Sequence, residues 1–199
     1  PTAALTAGLE GPPPSARADA ATEAPLRTFV GSEESAMNRY LAQAETMLRG
    51  GQYYRASSLY ELAHAIDPRN PLPLLGNSMA LLAAGEYMTS ATNLFAAIAT
   101  FESLANFPVD LKSFIPEIGV LDRRRADLER RLAQFDDYRL RFLLGYAEYN
   151  SGLEKIGVAN MRKAAAAATQ DRERLNRFVS VLEERIGNAP RPVDVPERK

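Results

Sequence analysis

The chain carries one histidine, His64, and no cysteine. A catalytic histidine needs a nucleophile to deprotonate or a carboxylate to orient it. His64 lies between Ala63 and Ala65 in no such motif, so it reads as a partly buried structural residue. The absence of Cys removes thiolate nucleophiles, disulfides and Cys-ligated zinc, and a single His removes a multi-His metal site within one chain. No glycine-rich phosphate loop, His-Glu-x-x-His helix or Gly-x-Ser-x-Gly elbow is present. Asp and Glu are plentiful, yet no carboxylate pair is marked out by its surroundings. These residues imply no metal, no cofactor and no enzyme; an enzyme with an unrecognised site ranks last among the readings.

Arg123, Arg124, Arg125, Arg130 and Arg131 form the one basic run. Asp122, Asp127 and Glu129 are interleaved with them at helical pair spacing, and no aromatic stacking platform accompanies them. The run therefore reads as a solvated helix face rather than a nucleic-acid patch. Lys plus Arg number 24 against 25 Asp plus Glu, so no bulk field selects nucleic acid or an anionic membrane as a partner. No stretch approaches the roughly 18 apolar residues of a membrane span. Pro1 opens the sequence, which reads as a processed or trimmed product, either after removal of a signal peptide or as a piece of a longer protein.

The elements that must position any site are helical. Residues 1–31 are rich in Ala and Pro, with Pro12, Pro13 and Pro14 in a row, and read as an extended tether, either a disordered spacer or a strap along a partner. Ser32 is the expected N-cap of the first helix, with Glu33 and Glu34 in its first turn. Met37, Leu41, Ala44 and Leu48 then recur on one face, Gly50 and Gly51 end that helix, and Asp67 and Pro68 stop the next. The same plan predicts hairpins over about 36–69, 71–103 and 138–169, a capping helix over 170–187 and a disordered tail over 188–199. Gly85 follows Gly51 by 34 residues and Gly152 follows Gly85 by 67, so residues 104–137 are expected to fill the slot of one degenerate repeat. Pro108 and Pro116 break its first half, while Leu121, Leu128, Leu132 and Phe135 mark a helix in its second.

Gly51, Tyr53, Ala56, Tyr60, Ala63 and Pro68 resemble the tetratricopeptide repeat, and Gly85, Tyr87, Ala91, Phe95 and Ala97 repeat part of the pattern. The resemblance covers roughly residues 36–186, with Glu102 in place of a stop proline and Gly157 in place of a close-packing alanine. It implies an all-α fold, a right-handed α-α superhelix with one degenerate repeat and a C-terminal cap. It also implies a concave groove on the first helices that binds a peptide or partner protein. Carried over, that groove comprises Leu41, Glu45 and Leu48, then Leu72, Leu75, Met79 and Leu82, then Arg139, Phe142, Tyr146 and Tyr149. Leu41, Glu45 and Gly76 stand where the family's carboxylate-clamping lysine and asparagines would be, so no such clamp is expected.

The stretch Phe107, Val109, Leu111, Phe114 and Ile115 has two readings: a specialised element that contacts a partner or plugs the groove, or core repair where a helix is missing. The function expected is that of a noncatalytic protein-interaction scaffold inside a larger assembly. The alternative is a structural subunit attached through its N-terminal segment and convex face. An Ala/Pro-rich tether, no Cys and a non-Met start suit a bacterial cell envelope or periplasm, with a cytoplasmic location as the alternative.

Overall fold

Gly51, Gly85 and Gly152 have φ of 74°, 92° and 95°, left-handed values that glycine reaches without a Cβ clash. Each sits in a tight turn between two antiparallel helices. The computed structural model describes residues 24–188. Within them the helices are α1 (Ala36–Arg49), α2 (Tyr53–Ile66), α3 (Pro71–Ala84), α4 (Tyr87–Thr100), α5 (Leu111–Phe114), α6 (Val120–Gln134), α7 (Tyr138–Tyr149), α8 (Glu154–Ala167) and α9 (Arg172–Asn188). A 3-10 turn, Glu102–Asn106, precedes α5. Among the described residues the fold is all-helical apart from one parallel bridge between Leu26 and Val109. No helix among them is long and apolar enough to cross a membrane. The Pro12–Pro14 run and the tail beyond Asn188 lie outside the described residues.

The first helix starts later than its sequence suggests. Its N-cap is Ser35, whose hydroxyl accepts from the Asn38 amide at 3.0 Å, and no acidic residue lies in its first turn. The Asn38 side chain explains the delay. It accepts from Gly31 N–H at 3.1 Å and donates to the Glu33 carbonyl at 2.6 Å, folding residues 31–34 back before the helix begins. Asn70 and Asp137 cap α3 and α7 through their side-chain oxygens.

Close packing within hairpins depends on small residues. A Cβ at Gly145 would lie 2.5 Å from the Gly157 carbonyl oxygen, and a Cβ at Gly157 the same distance from the Gly145 carbonyl. Gly157 is thus one half of a backbone-to-backbone approach between α7 and α8. Gly76 of α3 plays a similar part between hairpins, because a Cβ there would overlap the Tyr60 ring of α2.

The middle of the chain departs from the repeat arithmetic. Phe95 of α4 meets Tyr138 and Phe142 of α7 edge-on, with centroids 6.1 and 5.4 Å apart. The hairpin α7–α8 therefore stacks on α3–α4 with no repeat between them. Residues 101–137 leave the stack and return. Helix α6 rests against the end of α3 and the start of α4, where Arg124 Nε donates to the Ala83 carbonyl at 2.8 Å and the Tyr87 hydroxyl donates to Asp127 at 2.7 Å. Leu128 and Leu132 are buried, but Phe135 is 72% exposed. It is the C-cap of α6 with extended backbone, φ −146°, and so leaves the helical face that its spacing suggested.

At the far end α9 buries Leu175, Phe178, Val179 and Leu182. Arg177 pairs with Glu102 at 3.2 Å and Arg185 donates to the Asn106 carbonyl at 2.8 Å, which ties the last helix to the 3-10 turn.

Candidate peptide slot on the first helix

Along the inner face of α1, Leu41, Ala44, Glu45 and Leu48 recur at helical spacing and are all buried. A buried carboxylate is costly unless it is paired and hydrogen-bonded. Glu45 is only 2% exposed, and its partners come from residues 28 and 29 and from Arg49 of its own helix. Its Oε1 accepts from the Phe29 backbone N–H at 2.5 Å. The Thr28 hydroxyl is 3.0 and 2.9 Å from the two carboxylate oxygens, and Arg49 Nη2 lies 3.0 Å from Oε2. The charge is met by a cation, a hydroxyl and a backbone donor together.

Arg49, one turn further along α1, completes the grip. Its Nη2 also donates to the Arg27 carbonyl at 2.9 Å, its Nε donates to the Ser113 carbonyl at 3.2 Å, and its guanidinium lies 5.6 Å from the Phe114 ring centre. On the opposite side, Leu26 N–H donates to the Pro108 carbonyl and Asp110 N–H donates to the Leu26 carbonyl, both at 2.8 Å. Phe29 stacks on Phe114 with centroids 4.6 Å apart and is 3% exposed. Arg27, 75% exposed, pairs with Asp110 at 3.1 Å. Residues 26–30 thus form a strap held between α1 and the 108–115 loop.

The loop is anchored in turn from below. Val109 N–H donates to Asn150 Oδ1 at 2.8 Å, and Leu111 N–H donates to the Asn150 carbonyl at 3.0 Å. Val109, Leu111, Phe114 and Ile115 are buried, so they serve the core and cover the inner face at once; Phe107 is 37% exposed against Phe101.

The residues carried over as an open groove are placed as follows. Leu41, Glu45, Leu48, Leu75, Met79, Leu82, Phe142, Tyr146 and Tyr149 are buried within the chain, and Leu72 is half-buried. Phe142 and Tyr146 lie against Phe178 of α9. Arg139 pairs with Asp137 of its own cap at 2.6 Å. The face is therefore covered by the strap, the 101–137 segment and α9 instead of standing open. The sequence reading missed Thr28 and Phe29, which it assigned to the tether. One signal was available: Leu26, Phe29 and Val30 cluster large apolar side chains at its end.

A second concavity of about 400 Å³ lies where the α5–α6 connection meets the α7–α8 turn. Leu82, Ile115, Leu121, Leu128 and Leu153 form its apolar lining, with Lys112, Glu117, Asp122, Arg124 and Arg125 around them. Ile118 at its lip is 95% exposed. Four of the five arginines of α6 are paired locally, Arg123 with Glu117, Arg125 with Asp122 and Glu129, and Arg130 and Arg131 with Asp127, while Arg124 is held by the Ala83 carbonyl. The Tyr87 hydroxyl bond holds the Asp127 carboxyl below its ordinary range, while burial and that carboxylate push Tyr87 up to about 12.

Three buried side-chain polar atoms have no partner among the described residues, the Tyr60 hydroxyl, His64 Nδ1 and Arg174 Nε. None of them lines this concavity. Glu148 is 3% exposed and accepts from Asn160 Nδ2 at 2.7 Å, and burial raises its carboxyl above the usual value. No group of three or more acidic or histidine side chains among the described residues could hold a metal ion. Comparison of the chain with protein-family models, with curated proteins and with solved structures finds no match.

Proposed function

We propose that the chain is a noncatalytic protein-interaction module, a tetratricopeptide-like right-handed superhelix serving as a subunit of a larger assembly. Its task is to hold an extended protein segment against the first helices of its hairpins. One observation carries this reading: residues 26–30, a non-helical stretch bridged to Val109 at Leu26 and bent at Arg27, lie on α1 and are gripped through backbone groups by Glu45 and Arg49. Peptide recognition by backbone hydrogen bonds with one side-chain pocket is a recurring mode of binding. The test is affinity purification of the tagged full chain from its source, compared with a Glu45→Ala, Arg49→Ala chain. Loss of specific partners from a variant that keeps its helical circular dichroism supports the reading, and unchanged recovery refutes it.

A second reading rests on the outer face. Tyr54, Leu62 and Ile66 follow one another along α2 at helical spacing with exposures of 62, 48 and 48%. An attached structural subunit would use such a stripe. Leu62→Glu with Ile66→Glu would then release the partners that the Glu45 and Arg49 changes leave bound. A bacterial envelope address fits an Ala/Pro-rich tether, with a cytoplasmic location as the alternative, and the unprocessed N-terminus tests it.

A further inference from the structure

We infer that residues 26–30 are a resident pseudo-ligand, and that the slot's true occupant is an extended segment of a partner protein with the residue order apolar, basic, threonine, phenylalanine, β-branched. This deepens the peptide-holding reading and rests on it. The backbone is held at the first position, and side chains select at the next three. The apolar first residue exchanges backbone hydrogen bonds with Pro108 and Asp110, which any extended chain can supply. The basic residue faces the Asp110 carboxylate. Threonine and the next backbone N–H share the buried Glu45, so a residue without a hydroxyl leaves that carboxylate short of a donor. Phenylalanine fills the site against Phe114.

The strap can leave without unwinding a helix. Residues 31–34 are exposed, and the Asn38 side chain makes the hydrogen bonds that hold them, to Gly31 and Glu33. A short connection gives the strap an effective concentration of about millimolar in its own slot. The strap of a second copy makes the same contacts with no added ones, and so loses to the resident strap at lower concentrations. On the peptide-holding reading the occupant is a partner segment, and mixing chains that each carry a single cysteine separates it from a second copy.

The probe is a labelled peptide of residues 24–31, titrated against the full chain. In a Phe29→Ala chain the resident strap is weakened, and the peptide should bind about tenfold tighter than to the unchanged chain. Peptides with Phe29→Ala or Thr28→Val should lose that gain, as should the Phe29→Ala, Glu45→Gln chain. A helical, cooperatively folded Phe29→Ala chain that binds no tighter overturns the proposal. Because Phe29→Ala could loosen the fold, a second variant fixes the strap instead. The chain has no Cys, so Leu26→Cys with Val109→Cys provides the one disulfide, across the parallel bridge. Peptide binding should vanish on oxidation and return on reduction; binding to the oxidised form overturns the slot assignment. Mixing chains that carry only one of these cysteines should give no disulfide-linked pair. Such a pair would assign the slot to a second copy and overturn the partner. Failure of exchange leaves attachment through the α2 face untouched, because the Leu62 and Ile66 variants test that separately.

Discussion

In the stacked hairpins, contact is made by small and apolar residues: Gly145 against Gly157, Gly76 against Tyr60, and Phe142 between Phe95 and Phe178. The covering layer is held differently, by Glu45, Arg49, Asp110 and Asn150 acting largely on backbone groups. Burial is nondirectional and spread over many contacts, so the stack should open as a unit. The strap adds one buried ring, Phe29 on Phe114, to its hydrogen bonds, so loss of a polar partner should loosen the strap before the stack. The inner face should then be rigid underneath and separable on top.

The largest expected effect tests the stack. Phe142→Ala removes a fully buried ring and should cost about 3–5 kcal/mol in urea unfolding, with one transition. A loss no greater than that of Phe29→Ala would erase the distinction between the layers. Gly145→Ala comes next. Its Cβ meets the Gly157 carbonyl oxygen at 2.5 Å and the Met161 side chain at 2.7 Å, and the cost should be about 1–3 kcal/mol, read as a lower Tm.

Glu45→Ala should be felt locally, because it strands the Phe29 N–H and the Thr28 hydroxyl and leaves Arg49 only the Arg27 and Ser113 carbonyls. About 1–3 kcal/mol is lost from strap docking. Trypsin cleavage after Arg27 should then speed up while circular dichroism stays unchanged. Equal rates of cleavage would mean that the strap is part of the stack.

The smallest effect is in pH dependence. Burial raises the Glu148 carboxyl above its ordinary 4.5. Its contribution to stability is therefore fully present below that ordinary value and is lost as pH rises through the raised one. Asp137 behaves oppositely. The Arg139 hydrogen bond holds it below its ordinary 3.8, so its contribution is present above 3.8 and is lost as pH falls through the lower folded value. Glu148→Gln should flatten the dependence of urea midpoints on pH above 4.5. An unchanged slope would locate the dependence elsewhere.

The helices and their turns were legible in the residues because their signals are local. Apolar spacing of 3.6 and a glycine at each tight turn suffice for α1 to α4, α7 and α8. Spacing alone does not place 104–137, since the distance from Gly85 to Gly152 does not say whether the intervening chain enters the stack or passes over it. Phe95 meeting Tyr138 decides that, and no local pattern encodes it. The burial of Glu45 was equally hidden. Glutamate on a helix usually faces water, and here it is enclosed because Thr28, Phe29 and Arg49 meet it.

The contact between Arg49 and Ser113 spans 64 residues. During synthesis the strap and α1 leave the ribosome well before the loop that completes their enclosure. At about 5–20 residues per second, that interval is on the order of several seconds. Throughout it Glu45 and the Phe29 ring are waiting for the far wall of the slot. If the proposed partner segment meets the nascent chain in that interval, it meets it before the strap is enclosed, so on that reading the order of translation itself favours assembly over self-closure.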